Sequence, residues 1–371
     1  MTGQHPRFTG LVQGLPATIP FVGPEALERR GGRRFELRLG ANESAFGISP
    51  SALEAISREL ARAAWYGDPE AFELRERLAG LHGVGTGEIV VGAGIDELLG
   101  VLVRAVVEPG DPVVTSAGAY PTFNYHVAGF GGRLVEVPYR DDHEDLDGLA
   151  AAVRREGARL VYLANPDNPM GTWHGAAAIG RFLAELPPDA MLLLDEAYIE
   201  FAPSDAAPPI ATDDPRVVRL RTFSKAHGMA GLRIGYAIAH AGMIGALGRI
   251  RNHFGVNRLA QAAAMASLDD PAFVAGVVAE VARGREEYAA LATELGFVPL
   301  PSATNFVALD VDPEGRGPGH SRALLDALAT VGVFIRRPHV APLDRCIRVS
   351  VGTAGERTRF AAVLRAVVQA S

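Results

Sequence analysis

From about Ser51 to Leu268 the chain alternates amphipathic helical stretches with short apolar runs, and that rhythm restricts its fold more than any other feature. The runs PVVTS, RLVEVP, RLVYLAN, MLLLDEA, RVVRLRT and RIGYAIA suit strands buried on both faces. Strands separated by helices in this way predict an α/β fold: a largely parallel sheet with helices on both faces. In such sheets ligands bind beyond the carboxyl ends of the strands. Here the polar residues Ser116, Asn165, Asp195 and Thr222 gather at those ends.

After Asn257 the rhythm changes. A long helical region over Pro271 to Gly296 precedes the strand-like NFVALD, a helix near Ser321 to Thr330, the strand-like VFIRR and CIRVSVG, and a terminal helix from about Gly355. The 371 residues are too many for one compact core. They divide into an arm over 1–42, packing with the small domain or a partner subunit, a large domain over 43–268 and a smaller α+β domain over 269–371. A net charge of -7 and a pI near 5.8 offer no basic footprint for nucleic acid or an anionic membrane. The single cysteine, Cys346, forms no intrachain disulfide, and MTGQHPRFTG lacks the charged start and apolar run of a signal peptide. With no apolar run near the ~18 residues of a membrane span, a cytoplasmic location is expected.

One position is singular: Lys225 is the only lysine, so all but one of the 36 lysines and arginines are arginine. A guanidinium, with a pKa above ~12, is never a neutral nucleophile in a protein, whereas an amine can lose its proton and condense with an aldehyde. Lys225 is therefore a candidate for Schiff-base chemistry with pyridoxal phosphate, set against the plainer reading of a compositional accident. It follows the strand-like VVRLRTF in a segment of small residues that includes Ser224, Ala226, Gly228 and Ala230, where a backbone can approach a ligand closely. Ser224 and Arg233 are near enough to aim at one anion, such as the cofactor's phosphate.

A pyridine nitrogen kept protonated needs a buried carboxylate. Asp195, at the end of the apolar MLLLD, is the candidate, since an acid there is costly without a cation. Tyr198, three residues on, suits the cofactor's phenolic oxygen. The rival reading, a P-loop ATPase strand, needs a Gly-Lys-Ser/Thr loop that this chain lacks. VVGAGIDELLG reads as strand, glycine turn and helix start, so the backbone at Ile95 and Asp96 is a phosphate site, unless Asp96 merely caps its helix. Phe123 suits stacking on the pyridine ring or simple packing. Asn168, in NPDNPMG, presents an amide to a ligand or sits in an ordinary turn.

Together NPDNPMG, DEAY, SKAHGMAGLRIGY and Arg336 with Arg348 in RVSVG stand in an order that resembles fold-type I pyridoxal phosphate aminotransferases, most closely the histidinol-phosphate aminotransferase group. The resemblance runs from Asn42 to Gly352. It implies a seven-stranded-type sheet in the large domain and a Schiff base at Lys225, which also moves the substrate proton. It implies Asp195 on the pyridine nitrogen, Tyr198 and Asn168 on the phenolic oxygen, and Phe123 on the ring. Ser224, Arg233, Ile95 and Asp96 would hold the phosphate, and Tyr66 would reach the phosphate of the neighbouring subunit in a homodimer. Arg336 and Arg348 would bind the substrate's anionic group. Phe21 stands where family members often have a tyrosine that helps hold a substrate phosphate, and Met170, Gly67 and His227 are further departures.

The expected activity is transfer of an amino group from a small-molecule donor, with histidinol phosphate leading, to a 2-oxo acid such as 2-oxoglutarate. The alternatives are an aromatic or other amino-acid aminotransferase, or a pyridoxal phosphate decarboxylase, lyase or oxidase. A cofactor-sensing transcription regulator is disfavoured, because the residues before Asn42 are not helix-turn-helix-like.

Overall fold

The apolar runs form strands where their pattern requires them. The computed structural model describes residues 7–16 and 22–370. Its main sheet comprises β1 (Ile89–Gly92), β2 (Pro112–Ser116), β3 (Arg133–Val137), β4 (Leu160–Ala164), β5 (Met191–Asp195), β6 (Val217–Thr222) and β7 (Gly235–Ala239). These seven strands lie in the order β1-β7-β6-β5-β4-β2-β3. β7 is antiparallel to β1 and β6, and all other pairings are parallel.

Helices α1 (Ile95–Val106) and α2 (Pro121–Gly129) cover one face, burying Leu98, Leu102, Phe123 and Val127 against Leu160 and Tyr162. On the other face α3 (Leu146–Glu156) and α4 (Ala176–Glu185) bury Leu149, Val153 and Phe182 against Val161 and Leu194. Cover on both sides is what lets β4 and β5 dispense with alternation. β6 breaks the apolar rule with Arg219 and Arg221, and both guanidinium groups reach the buried Glu196, Arg221 Nε at 2.9 Å from Oε2. Pairing is what makes such burial tolerable.

A second core gathers around α5 (Pro271–Glu294), α6 (Pro318–Thr330) and α7 (Ala354–Gln369) with β8 (Phe306–Asp310) and β9 (Cys346–Ser350). β8 pairs antiparallel with β9 and with Val298–Pro299. Leu37 and Leu39 belong to this core, and Leu37–Arg38 pairs in parallel with Val333–Phe334. The chain then crosses to the main sheet as a strap over residues 39–49. There Gly228, at φ 74, passes so close that a Cβ would lie 1.8 Å from the Gly47 carbonyl oxygen. At this glycine the tight approach is to the strap.

Candidate active site

The in-register parallel pairing sets the ends of neighbouring strands side by side: Ala164 lies opposite Asp195, and Asp195 opposite Leu220. The turns that follow β4, β5 and β6 therefore open on one edge, where a cavity of about 580 Å³ is lined by Asn168, Asp195, Tyr198, Ser224, Lys225 and Arg348, among others. Residues far apart in sequence meet there because the fold sends every one of these turns to the same edge.

Lys225 Nζ donates to the Asn42 carbonyl at 3.0 Å and lies 5.5 Å from the centroid of the Tyr198 ring. Burial, and then the charge of Arg348, bring its amine down to about 8, so it gives up its proton near neutrality. Asp195 is 5% exposed. Its Oδ2 accepts from Tyr162 Oη at 2.7 Å and its Oδ1 from the Ala197 N–H at 3.0 Å. Burial pushes the carboxyl up to about 6 against these two hydrogen bonds, and among the described residues no cation pairs with it. Tyr198 accepts from Asn42 Nδ2 at 2.9 Å, and burial raises its hydroxyl to about 12.

α1 begins at the N-cap Gly94, and among the described residues no side chain caps its first N–H groups. Asp96 instead accepts from Tyr120 Oη at 2.9 Å and from Arg233 Nη2 at 3.4 Å, so it is not the cap of its own helix. A Cβ on Gly94, at φ 83, would lie 2.5 Å from Arg233 Nη2, so only glycine leaves the guanidinium its place beside the helix start. Ser224 Oγ accepts from Thr222 Oγ1 at 2.9 Å on the same wall. Uncapped N–H groups, a guanidinium and two hydroxyls form a cradle for a phosphate.

Arg336 and Arg348 exchange backbone hydrogen bonds of 3.2 and 2.7 Å, a cross-strand pair that sets both side chains on one face, toward the cavity. Arg348 donates to Asn168 Oδ1 and stacks over Phe306 at 5.1 Å. Among the described residues Arg348 Nε is buried without a hydrogen-bond partner. Arg336 Nη2 donates to the Val22 carbonyl at 2.7 Å, while Arg337 donates to the Asp344 carbonyl at 2.8 Å.

Among the described residues, two of those named from the sequence, Phe123 and Tyr66, do not line the cavity of their own chain. Phe123 is fully buried and does not line the cavity: it stacks on Tyr162 at 4.6 Å between centroids, because its position in the first turn of α2 faces the sheet. Tyr120, at the N-cap of that helix, is the aromatic of this segment that lines the wall. Tyr66 is 77% exposed against Phe254, away from the cavity of its own chain. Phe21 lies outside the described residues. Asn42, Tyr120 and Tyr162 escaped the sequence reading; a polar residue inside an otherwise apolar strand was the available signal for Tyr162.

A molecule that answers all these groups carries an aldehyde for the amine, a basic ring nitrogen for the buried acid Asp195 and a phosphate for the cradle. Pyridoxal phosphate has these three parts, and the residues present fit it. Fold and site thus define a pyridoxal phosphate enzyme on the fold-type I scaffold.

The model of the family "Aminotransferase class I and II" matches residues 36–364. The chain is 38% identical to a histidinol-phosphate aminotransferase of Roseiflexus castenholzii, over 97% of this chain and 98% of that one. It superposes with a TM-score of 0.95, at 51% identity and 100% coverage of both chains, on the crystal structure of histidinol-phosphate aminotransferase from Sinorhizobium meliloti in complex with pyridoxal-5'-phosphate. An aspartate aminotransferase variant from Thermus thermophilus shares the fold at TM-score 0.82 and 26% identity, covering 98% and 99% of the two chains. The chain belongs to the aminotransferase class I and II family and, within it, to the histidinol-phosphate aminotransferase group. It is a pyridoxal phosphate-dependent transaminase.

Proposed function

We propose that the chain transfers the amino group of histidinol phosphate to 2-oxoglutarate, as a cytoplasmic homodimer. The observation that carries the reading is the pair Arg336 and Arg348 on one face of the cavity, since two guanidinium groups suit an anion that both substrates carry, as phosphate or carboxylate. The curated relative in Roseiflexus castenholzii and the solved relative in Sinorhizobium meliloti bear the name of the same donor.

Pyridoxal phosphate, when bound, supplies an aldehyde that captures amines and a ring that withdraws electrons from the substrate carbon. Asp195 would hold a proton at the ring nitrogen, Tyr198 and Asn168 would serve the phenolic oxygen, and Ser224, Arg233 and the N–H groups at Ile95 and Asp96 would hold the phosphate. Lys225 Nζ, already close to losing its proton, would be the base that takes the proton from the substrate carbon and the acid that delivers it to the cofactor's carbon. Residues 43–268 hold the cofactor and residues 269–371 supply the substrate's arginines.

The dimer is supported by Trp65 and Tyr66, 65% and 77% exposed, next to the exposed Phe254: large aromatic surface that a second copy would cover. Among the described residues no single helix is long and apolar enough to cross a membrane. A panel of amino donors, read as the change in cofactor absorbance with histidinol phosphate, phenylalanine, tyrosine, arginine and glutamate, tests the substrate. Histidinol phosphate is expected to give the highest kcat/KM of the potential primary donors, and preference for an aromatic amino acid would overturn the reading in favour of an amino-acid aminotransferase.

A further inference from the structure

The middle residue of LVYLA is a tyrosine in a strand that is buried throughout. A tyrosine hydroxyl taken from water needs a partner, and a leucine would have filled the same volume without that demand. The Tyr162 hydroxyl finds Asp195 Oδ2 at 2.7 Å. β4 and β5 set Ala164 opposite Asp195, and Tyr162, two residues back on the same face, reaches up beneath the carboxylate. Phe123 stacks on its ring at 17° and 4.6 Å, so the ring is clamped between the sheet and α2.

We infer that Tyr162 is a positioning residue that holds the Asp195 carboxylate ionised and oriented for the cofactor's ring nitrogen. The inference rests on Asp195 being the acid that meets that nitrogen. Asp195 is buried, and burial favours its neutral form. Two donors oppose this, the Ala197 N–H and the Tyr162 hydroxyl, and the hydroxyl is the shorter contact. Burial and the neighbouring Asp195 charge keep the Tyr162 hydroxyl protonated far beyond its ordinary range, so it only donates to the acid. It also fixes which oxygen is engaged from below and so where the remaining lone pairs point. Phe123, expected at the ring, thus acts one layer further out by holding the tyrosine.

The test is Tyr162→Phe, which keeps the ring and removes one atom. Two readouts apart from turnover apply: the affinity of cofactor-free protein for pyridoxal phosphate, and the 15N resonance of ring-labelled pyridoxal phosphate bound to the protein. Affinity is expected to fall about tenfold, as for loss of one hydrogen bond to a charged group, and the resonance to move toward that of a neutral pyridine. Unchanged affinity and resonance overturn the inference. Asp195→Asn separates the two layers of the argument: it must move the resonance if Asp195 is the ring's acid, and if it does not, that assignment fails as well. Should Tyr162→Phe fail to fold, 3-fluorotyrosine introduced at position 162 donates more strongly with the packing retained. It must then move the resonance in the opposite direction, and no movement overturns the inference.

Discussion

Because Lys225 is the only lysine, protein grown on 13C-lysine gives the titration of one side chain. In the cofactor-free protein its amine is expected to titrate near 8, where an exposed lysine has 10.5. Burial is the larger cause and the Arg348 charge the second, while Asp96 and Glu43 push the other way. The difference corresponds to about 3 kcal/mol of unfavourable charge in the folded state. Since the folded pKa lies below the unfolded one, the penalty is complete below about pH 8 and gone above 10.5, and stability rises with pH between them. Lys225→Met removes the charge and keeps the unbranched shape. By urea unfolding it should stabilise the cofactor-free protein at pH 7 by up to ~3 kcal/mol and flatten that rise. Arg348→Gln should raise the Lys225 titration and Glu43→Gln should lower it. A wild-type resonance that titrates at the ordinary lysine value, or an Arg348→Gln variant that moves it downward, refutes the reasoning.

If Arg348 binds the substrate anion as proposed, with hydrogen bonds worth about 2–3 kcal/mol, Arg348→Ala should raise donor KM about 30- to 150-fold with the cofactor's absorbance retained. An unmoved KM would show that the anion binds elsewhere. Gly94→Ala places a methyl group 2.5 Å from Arg233 Nη2 and forces a side chain into a backbone conformation, φ 83 and ψ 171, that costs about 1–3 kcal/mol, so pyridoxal phosphate should be lost on dialysis far sooner than from wild type. Equal retention would free Arg233 from the phosphate cradle.

The main sheet was legible because buried parallel strands are near-continuous apolar runs, and LVYLA and MLLLD have no other use at that length. Arg219 and Arg221 look wrong for such a strand until Glu196 is seen beneath them, a contact 23 residues or more away in sequence. Lys225 and Asp195 were visible for a chemical reason: one is an amine in a chain of guanidinium groups, the other an acid closing an apolar strand. Phe123 and Tyr120 show the limit. They sit three residues apart at the start of one helix, where a small rotation decides which ring meets the cavity, and no local pattern encodes that rotation. Tyr162 was hidden for the opposite reason, since an aromatic in a buried strand reads as packing until its hydroxyl is traced to a partner.

The strap over residues 39–49 has a consequence for anyone who would cut this protein. Asn42, held at φ 56, gives its carbonyl to Lys225, its side-chain amide to Tyr198 and its N–H to Ser350 Oγ. A minimal cofactor-binding module that begins at β1 would keep every strand of the main sheet and still set its lysine and tyrosine adrift. A graft onto a new chain, or a circular permutation that opens the fold, has to carry this strap intact and leave β9 within its reach, because the address of the reactive amine is written partly in a segment that belongs to neither sheet.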